Sequence, residues 1–552
     1  MNRVVRASGL AVMSSLLLAA PLLAQRSRGP MVSADSLRAR LFAIADDSMG
    51  GRNTGSAGNV KAADWVASMF QRYGLTPAGD NGGWFQVIPF FGNTLDQRGT
   101  ISAGGRSLAI GHDVLPVGTR AGWDLGGIET VYSGVMTDST LWAPPGSTSG
   151  KLVLFTAVDG TDLRSLGRGL GPVLANPRFA GAVGFAIVLL DVVPTDLVDQ
   201  IMQPQILTDT TSPRRIVHVM LVSRAGADVL MGGRLEGAHP GQTGPAMSGG
   251  ITFNKLPLAY PARNVVGILE GSDPALRATY VSLTAHNDHV GLTRQPYDHD
   301  SVYAYNRVMR PLGADTPGRD PTPAEAARIQ AVRDSLHGMH AARRDSIFNG
   351  ADDDGSGTVA LTELARVISR GPRPRRSILF VSHAAEEKGL LGSSWYTDHA
   401  TVPVDSIVAE IDEDMIGRGQ ASDIQGGGPA YLEVIGAKRL SPEFGDSLEA
   451  VNAREPIPFR FNYEFDVPGH PLQYYCRADH YSYARYGIPS VAFSRGEHAD
   501  YHQVTDEPQY IDYTDMARVT QMVADQARAI ANMDHRPAVT GPHGDPHAPC
   551  RQ

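Results

Sequence analysis

A chain of 552 residues is longer than one ordinary hydrophobic core supports, so two or three domains are expected. With 42% hydrophobic and 19% charged residues the balance is that of a globular protein, and the 60 Gly and 37 Pro are scattered as turns between apolar runs. A net charge of −9 without any Lys/Arg cluster argues against nucleic acid and anionic membrane surfaces as partners.

The chain opens with Arg3 and Arg6 ahead of an apolar stretch from Gly9 to Leu23, ending in small residues near Ala24. This is the pattern of a signal peptide over residues 1–24, too short at roughly 15 apolar residues to span a bilayer comfortably. Nothing later has the length of a membrane span. The mature protein is therefore expected to be soluble and periplasmic or secreted, without membrane association after signal cleavage. The two cysteines, Cys476 and Cys550, have the option of pairing in an oxidising compartment, but Cys550 lies in a Pro/Gly/His-rich segment that reads as a mobile tail over 534–552.

Leu37, Leu41 and Ile44 recur at helical spacing, and a second helical run covers Ala62 to Tyr73. Between them Gly50-Gly51-Arg52-Asn53-Thr54-Gly55 reads as a loop. Residues 25–111 are assigned to the first part of the main domain. Residues 112–247 differ, with short β-type runs at 151–155, 183–188 and 217–222 separated by Gly/Pro turns. They read as a β-rich insertion, with Gly237 to Gly250 as its exit linker. From residue 248 to 533 strands and helices alternate, at 264–269, 280–284, 357–369, 377–381 and 406–411, which predicts an α/β sandwich with a mostly parallel sheet. In such sheets ligands bind at the carboxyl ends of strands. The segment 321–348 reads as a charged, helical surface insertion.

Five segments near those strand ends carry metal-type chemistry. His286-Asn287-Asp288-His289 follows a strand, and a carboxylate two residues after a His suits the orientation of a ligating ring. Asp352-Asp353-Asp354 crowd into a Gly-rich turn, where a cation would relieve their repulsion; a solvated helix cap or a calcium loop are the plainer readings. Glu386-Glu387 supplies adjacent carboxylates, enough for one ligand and one general base. Asp412-Glu413-Asp414 closes another strand, and Asp500-Tyr501-His502 stands late in the chain. Each is weak alone. Together they offer the carboxylates and imidazoles that zinc prefers.

In this order the segments resemble the bi-zinc aminopeptidase family, the M28-type metallopeptidases that include bacterial leucyl aminopeptidases and the glutamate carboxypeptidase II group. The Gly51-Arg52-Asn53-Thr54-Gly55 segment resembles the family's opening, and 112–247 resembles the protease-associated domain that many members carry. The resemblance implies a three-layer α/β/α zinc-peptidase fold, two Zn²⁺ per chain and peptide substrates. It implies Asp353 as the carboxylate shared by both ions, chosen because it lies three before Ser356, with the Asp353–Asp354 peptide bond cis. His286 and Asp414 would complete one site, Glu387 and His502 the other. Asp288 would orient His286, Glu386 would act as general base and acid, and Tyr501 would steady the oxyanion.

The segment Arg477-Ala478-Asp479-His480 departs from the family's Ser-Asp-His, and a long insertion separates His286 from Asp353. The expected activity is that of an aminopeptidase. A carboxypeptidase or dipeptidase needs Arg residues converging on the substrate carboxylate, for which Arg454, Arg477 and Arg495 are available. A glutaminyl cyclase-like enzyme would use one zinc, and a non-catalytic binding protein would have lost ligands that this chain keeps.

Overall fold

The computed structural model describes residues 30–117, 121–157, 170–171, 173–174, 176–208 and 218–552; the expected signal peptide lies outside them. The chain divides into two units. One combines the chain up to Ile88 with Tyr260–Gln552, and the other is Pro89–Ala259.

In the first unit, strand residues alternate between two apolar layers. Ile378 and Phe380 join one core cluster, whereas Leu379 and Val381 join another on the opposite face of the sheet. The first layer is closed by helices α1 (Ala34–Ile44), α2 (Ala57–Arg72), α5 (Gly357–Arg370), α7 (Pro442–Asn452) and α9 (Tyr513–Ala531). The second is closed by α6 (Leu391–Asp398), through Tyr396, and by α8 (His480–Ala484), through Tyr483. Helices α3 (His299–Met309) and α4 (Pro323–Met339) belong to the excursion between His286 and Asp353.

The sheet between these layers has nine strands. They are β1 (Thr76–Pro77), β2 (Phe85–Ile88), β3 (Ala262–Leu269), β4 (Tyr280–His286), β7 (Ser377–His383), β8 (Ile407–Glu413), β9 (Tyr431–Ile435), β10 (Arg460–Asn462) and β11 (Ser490–Ser494). The order is β1-β3-β7-β4-β8-β11-β9-β10, with β2 also on β3. The centre, β7-β4-β8-β11, is parallel; β3 on one side and β9 on the other run antiparallel to it. This is the α/β/α sandwich expected, its parallel character concentrated where the site residues emerge. A separate antiparallel pair joins β5 (Gly291–Asp298) to β6 (Arg344–Phe348), so the segment 321–348 is helical only as far as Met339.

The second unit is β-rich, with a nine-stranded sheet and a three-stranded one. Its bounds, Pro89 and Ala259, are wider than 112–247 because Phe90–Leu95 and Ile101–Ala103 pair with strands from the unit's far end. The Gly-rich stretch 237–250 is no linker throughout. Thr243–Ile251 is a long strand paired with three neighbours, its glycines allowing close passage: a Cβ on Gly249, at φ +82°, would meet Thr100 O at 1.8 Å.

The tail is also anchored rather than free. Cys550 is disulfide-bonded to Cys476, the Gln552 side chain accepts from Tyr475 N and donates to Phe465 O, and Thr540 N and Gly541 N donate to Leu440 O. Composition marked this segment as mobile; the cross-link and the unpaired loop carbonyls it satisfies hold it down.

Candidate metal centre

Four of the five site segments lie at the ends of strands of the parallel centre. His286 ends β4, Glu386-Glu387 form a turn after β7, Asp414 follows β8, and Tyr501-His502 lie in the loop after β11. Asp353 comes from the turn that starts α5. Close approach shapes this turn, since a Cβ on Gly357 would meet Glu413 O at 2.0 Å.

All three acids of that turn are buried, but their partners separate them. Asp352 accepts from Gly417 N and faces His498 Nε2 at 3.2 Å. Asp354 accepts from His286 N and Gly357 N. Only Asp353 faces the other site residues: Oδ1 lies 3.2 Å from His286 Nε2, and Oδ2 lies 2.9 Å from His502 Nε2. The peptide bond from Asp353 to Asp354 is cis. The turn is fixed from below by the Asp506 carboxylate, which accepts from Asp352 N and Asp353 N, and by Arg52, which donates to Asn349 O and Gly350 O.

Around Asp353 the ligand-type atoms fall into two groups. His286, Asp353 and Asp414 form one, with His286 Nε2 3.7 Å from Asp414 Oδ1. His289, Asp353, Glu387 and His502 form the other, with His502 Nε2 3.1 Å from Glu387 Oε2 and His289 Nδ1 2.9 Å from Glu387 Oε1. His286 Nε2, His502 Nε2, His289 Nδ1, Asp353 Oδ2, Glu387 Oε1 and Asp414 Oδ1 are buried without a hydrogen-bond partner. Buried polar atoms without partners are costly, and so many converging atoms fit divalent-cation binding, with Asp353 common to both groups. Sequence reading passed over His289. Its signal is there, three residues after His286, but only the fold turns its ring toward Glu387.

Asp288 meets the His286 ring through its main chain. His286 Nδ1 donates to the main-chain carbonyl of Asp288 at 3.2 Å, and the carboxylate stays 3.7 Å away. This bond still leaves Nε2 free as a ligand atom. The Asp288 carboxylate instead accepts from Thr54 Oγ1 at 2.6 Å and from Glu386 N at 3.1 Å, so it ties the N-terminal loop to the Glu386 turn.

The electrostatics are those of a cation site. Burial pushes the Asp353 carboxyl up, but His289, His286 and His502 together bring it well below the usual carboxylate range. Glu387 is likewise held at about 2, burial and Asp353 opposed by His289 and His502. Glu386 goes the other way, well above its ordinary value, through burial and the nearby charges of Glu387 and Asp414. Behind Asp414, burial and the neighbouring Asp414 carboxylate raise Asp412 to about 7. Thr284 Oγ1 lies 2.6 Å from Glu410 Oε1 and 2.7 Å from Asp412 Oδ1. One hydroxyl proton serves only one acceptor, so one of these carboxyls carries a proton of its own.

Asp353, Glu386 and Asp414 form the floor of a cleft whose walls include Tyr474, Arg477, Glu497 and Tyr501. The Tyr501 ring stacks on His502, centroids 3.9 Å apart. Of the three Arg residues available for a substrate carboxylate, only Arg477 lines this cleft, and it pairs with Glu497 at 2.8 Å. Arg495 is buried in the scaffold, donating to Arg418 O and Tyr431 O and pairing with Asp515; Arg454 is exposed after α7. The three do not converge.

The sequence profile described as Peptidase family M28 matches residues 264–527, the stretch that supplies every ligand-type residue of this centre. Residues 264–527 form a peptidase family M28 domain. Aminopeptidase NAALADL1 of Rattus norvegicus is 44% identical over 75 residues, covering 13% of this chain and 10% of the relative. Leucine aminopeptidase 1 of Paracoccidioides brasiliensis (strain Pb18) is 31% identical over 182 residues, covering 31% and 44%. Aminopeptidase YwaD of Bacillus subtilis (strain 168) is 52% identical over 50 residues, covering 9% and 11%. This chain therefore spans less than half the length of these relatives. Among solved structures, the aminopeptidase from Aneurinibacillus sp. strain AM-1 aligns over 92% of this chain and 96% of its own, at 16% identity and a TM-score of 0.49. The M28 domain's matched residues thus include both ligand groups and Glu386.

Proposed function

We propose that this chain is an exported aminopeptidase using two zinc ions, which removes residues from the N-termini of peptides. The observation that carries the reading is Asp353, one oxygen turned to His286 and the other to His502, so that one carboxylate serves both ligand groups. Zinc held at both would acidify a water molecule and polarise the scissile carbonyl. The protein's own groups do the rest. Glu386, at the cleft floor and 3.9 Å from His286 Nε2, takes the proton of the attacking water and delivers it to the departing amine. Its main chain is held by the Asp288 carboxylate, which fixes the turn that aims it. Tyr501, in the cleft wall, donates to the oxygen that gains charge.

An N-terminal amine fits the cleft better than a C-terminal carboxylate does, because Arg477 is engaged by Glu497 and no second Arg lines the wall. Export is supported by the N-terminal sequence and by the Cys476–Cys550 disulfide, a bond that persists in oxidising compartments. Among the described residues no helix is long and apolar enough to cross a membrane.

The deciding assay compares Leu-, Ala-, Lys- and Glu-p-nitroanilides with their N-acetylated forms, with and without chelator, in the parent and in Glu386→Gln. Cleavage confined to free amines, lost on chelation and reduced about 10²–10⁴-fold in Glu386→Gln at unchanged zinc content, is the expected result. Equal cleavage of acetylated substrates removes the aminopeptidase reading, and a fully active Glu386→Gln removes the general base.

A further inference from the structure

A second cluster of ligand-type side chains lies in the excursion between His286 and Asp353. Asp298 ends β5, Asp300 sits in the first turn of α3, and His337 sits in the last turn of α4. His337 Nε2 is 3.3 Å from Asp300 Oδ2 and 3.9 Å from Asp298 Oδ1; His340 Nδ1, at the rim, is 3.9 Å from the same Asp300 oxygen. We propose that Asp298, Asp300 and His337 bind a divalent cation of the zinc class, separate from the centre at Asp353, which clasps the end of α4 to the start of α3.

Helix capping and plain ion pairing do not account for the arrangement. Asp298 is the N-cap residue of α3, and its Oδ2 accepts from Ser301 Oγ at 2.5 Å, which leaves Oδ1, the oxygen on the His337 side, unused by the cap. Asp300 is 2% exposed, and its Oδ2, turned to His337, is buried without a hydrogen-bond partner, as is Asp298 Oδ1. Among the described residues no Lys or Arg pairs with either acid; the nearby bases are His337, His340 and His299, whose Nδ1 is 3.7 Å from Asp300 Oδ1. His299 is itself engaged through Nε2 with Glu507 at 2.9 Å. Two carboxylates and an imidazole, with His340 at the rim, are a mixed oxygen and nitrogen donor set that suits zinc. Zinc bonds of about 2.0–2.2 Å place neighbouring tetrahedral ligand atoms roughly 3.3–3.6 Å apart. The His337–Asp300 spacing of 3.3 Å already lies in this range, and the His337–Asp298 spacing of 3.9 Å needs about 0.3 Å of closure.

The clasp also answers a packing problem. Helix α4 has 17 residues, and none of them is buried. A helix of that length with so little core contact is marginal by propensity alone. Its partner α3 supports the loop that carries Tyr501 and His502: Arg307 and Asn306 donate to the Asp500 carboxylate, and Arg310 donates to Ala499 O. A cation at Asp300 therefore stiffens both helices behind that loop.

The test uses the full chain, stripped of metal, reloaded with Zn²⁺ and desalted. Zinc per chain is measured in the parent, in His337→Ala, in Asp300→Asn and in Asp353→Asn, with circular dichroism as the folding check. His337→Ala and Asp300→Asn are expected to hold one zinc fewer than the parent, whatever number the main centre holds. In the parent and in Asp353→Asn, Zn²⁺ should slow tryptic cleavage after Arg328 and Arg333 of α4 at least tenfold, and in the two clasp variants it should not. Loss of zinc in Asp353→Asn with α4 still protected speaks only of the main centre. Equal zinc in the parent and in folded His337→Ala and Asp300→Asn, or α4 protection that survives both substitutions, overturns the clasp.

Discussion

Replacing Arg52 by Met tests whether the Asp353 turn is held from behind by a single buried guanidinium. Arg52 is fully buried and donates to Ile44 O at 3.2 Å, Asn349 O at 2.5 Å and Gly350 O at 2.7 Å, the last two directly preceding the acidic turn. Hydrogen bonds from a charged donor contribute about 1.5–3 kcal/mol each. Burying the guanidinium costs several kcal/mol, which Met recovers, so the net loss is about 3–5 kcal/mol. Stability is read by urea unfolding at fixed zinc, and zinc retention by dialysis against a weak chelator. Arg52→Met should lose this stability and release zinc faster. Arg52→Lys keeps the charge but lacks the fork that reaches two carbonyls, and should fall between Met and the parent. Should both variants lie within about 1 kcal/mol of the parent, the size of an ordinary surface change, and keep their zinc, the turn does not depend on Arg52.

Two further outcomes are open to measurement. His289→Ala removes an imidazole from the Glu387–His502 group alone, so zinc titration should show one of two affinities weakened, by about 10–100-fold, and the other unchanged; equal weakening of both would refute the assignment. His480 is held down to about 3 by burial, with Arg439 adding to it, so its folded value lies below its ordinary value of 6.5. Such a group is neutral in the fold. Its contribution is complete above pH 6.5 and is lost as pH falls toward 3, by up to about 1.4 kcal/mol per unit, because only the unfolded chain takes up the proton. His480→Leu, at a ring whose two nitrogens have no hydrogen-bond partner, should flatten the urea midpoint between pH 6.5 and 4.5; an unchanged slope would show that His480 is not the acid-sensitive group.

The candidate ligand residues and their order along the chain were legible from residue types alone. His286, Asp353, Glu386-Glu387, Asp414 and His502 stood out because carboxylates and imidazoles beside turns at strand ends have few other uses, and an alternating run of strands and helices puts such turns at one edge of a sheet. Three of the four parallel central strands, β4, β7 and β8, fall on β-type runs read from the sequence; β11 and the strand order do not. Signals of this kind are local, carried by a residue type and its immediate neighbours.

Features that depend on direction and on distant partners emerge only in the fold. Nothing local distinguishes Asp352 from Asp353 in facing; Gly417, His498 and Asp506 settle it. His289 becomes a candidate ligand only because its ring meets Glu387, and Arg495 stays out of the cleft because the carbonyls of Arg418 and Tyr431 claim it. The insertion's bounds moved to Pro89 and Ala259, and the tail became fixed, through pairings whose two halves lie far apart in sequence. The physical reason is common to all of these. A residue's type is set where it stands in the chain, but its hydrogen-bond and charge partners exist only after the chain has folded.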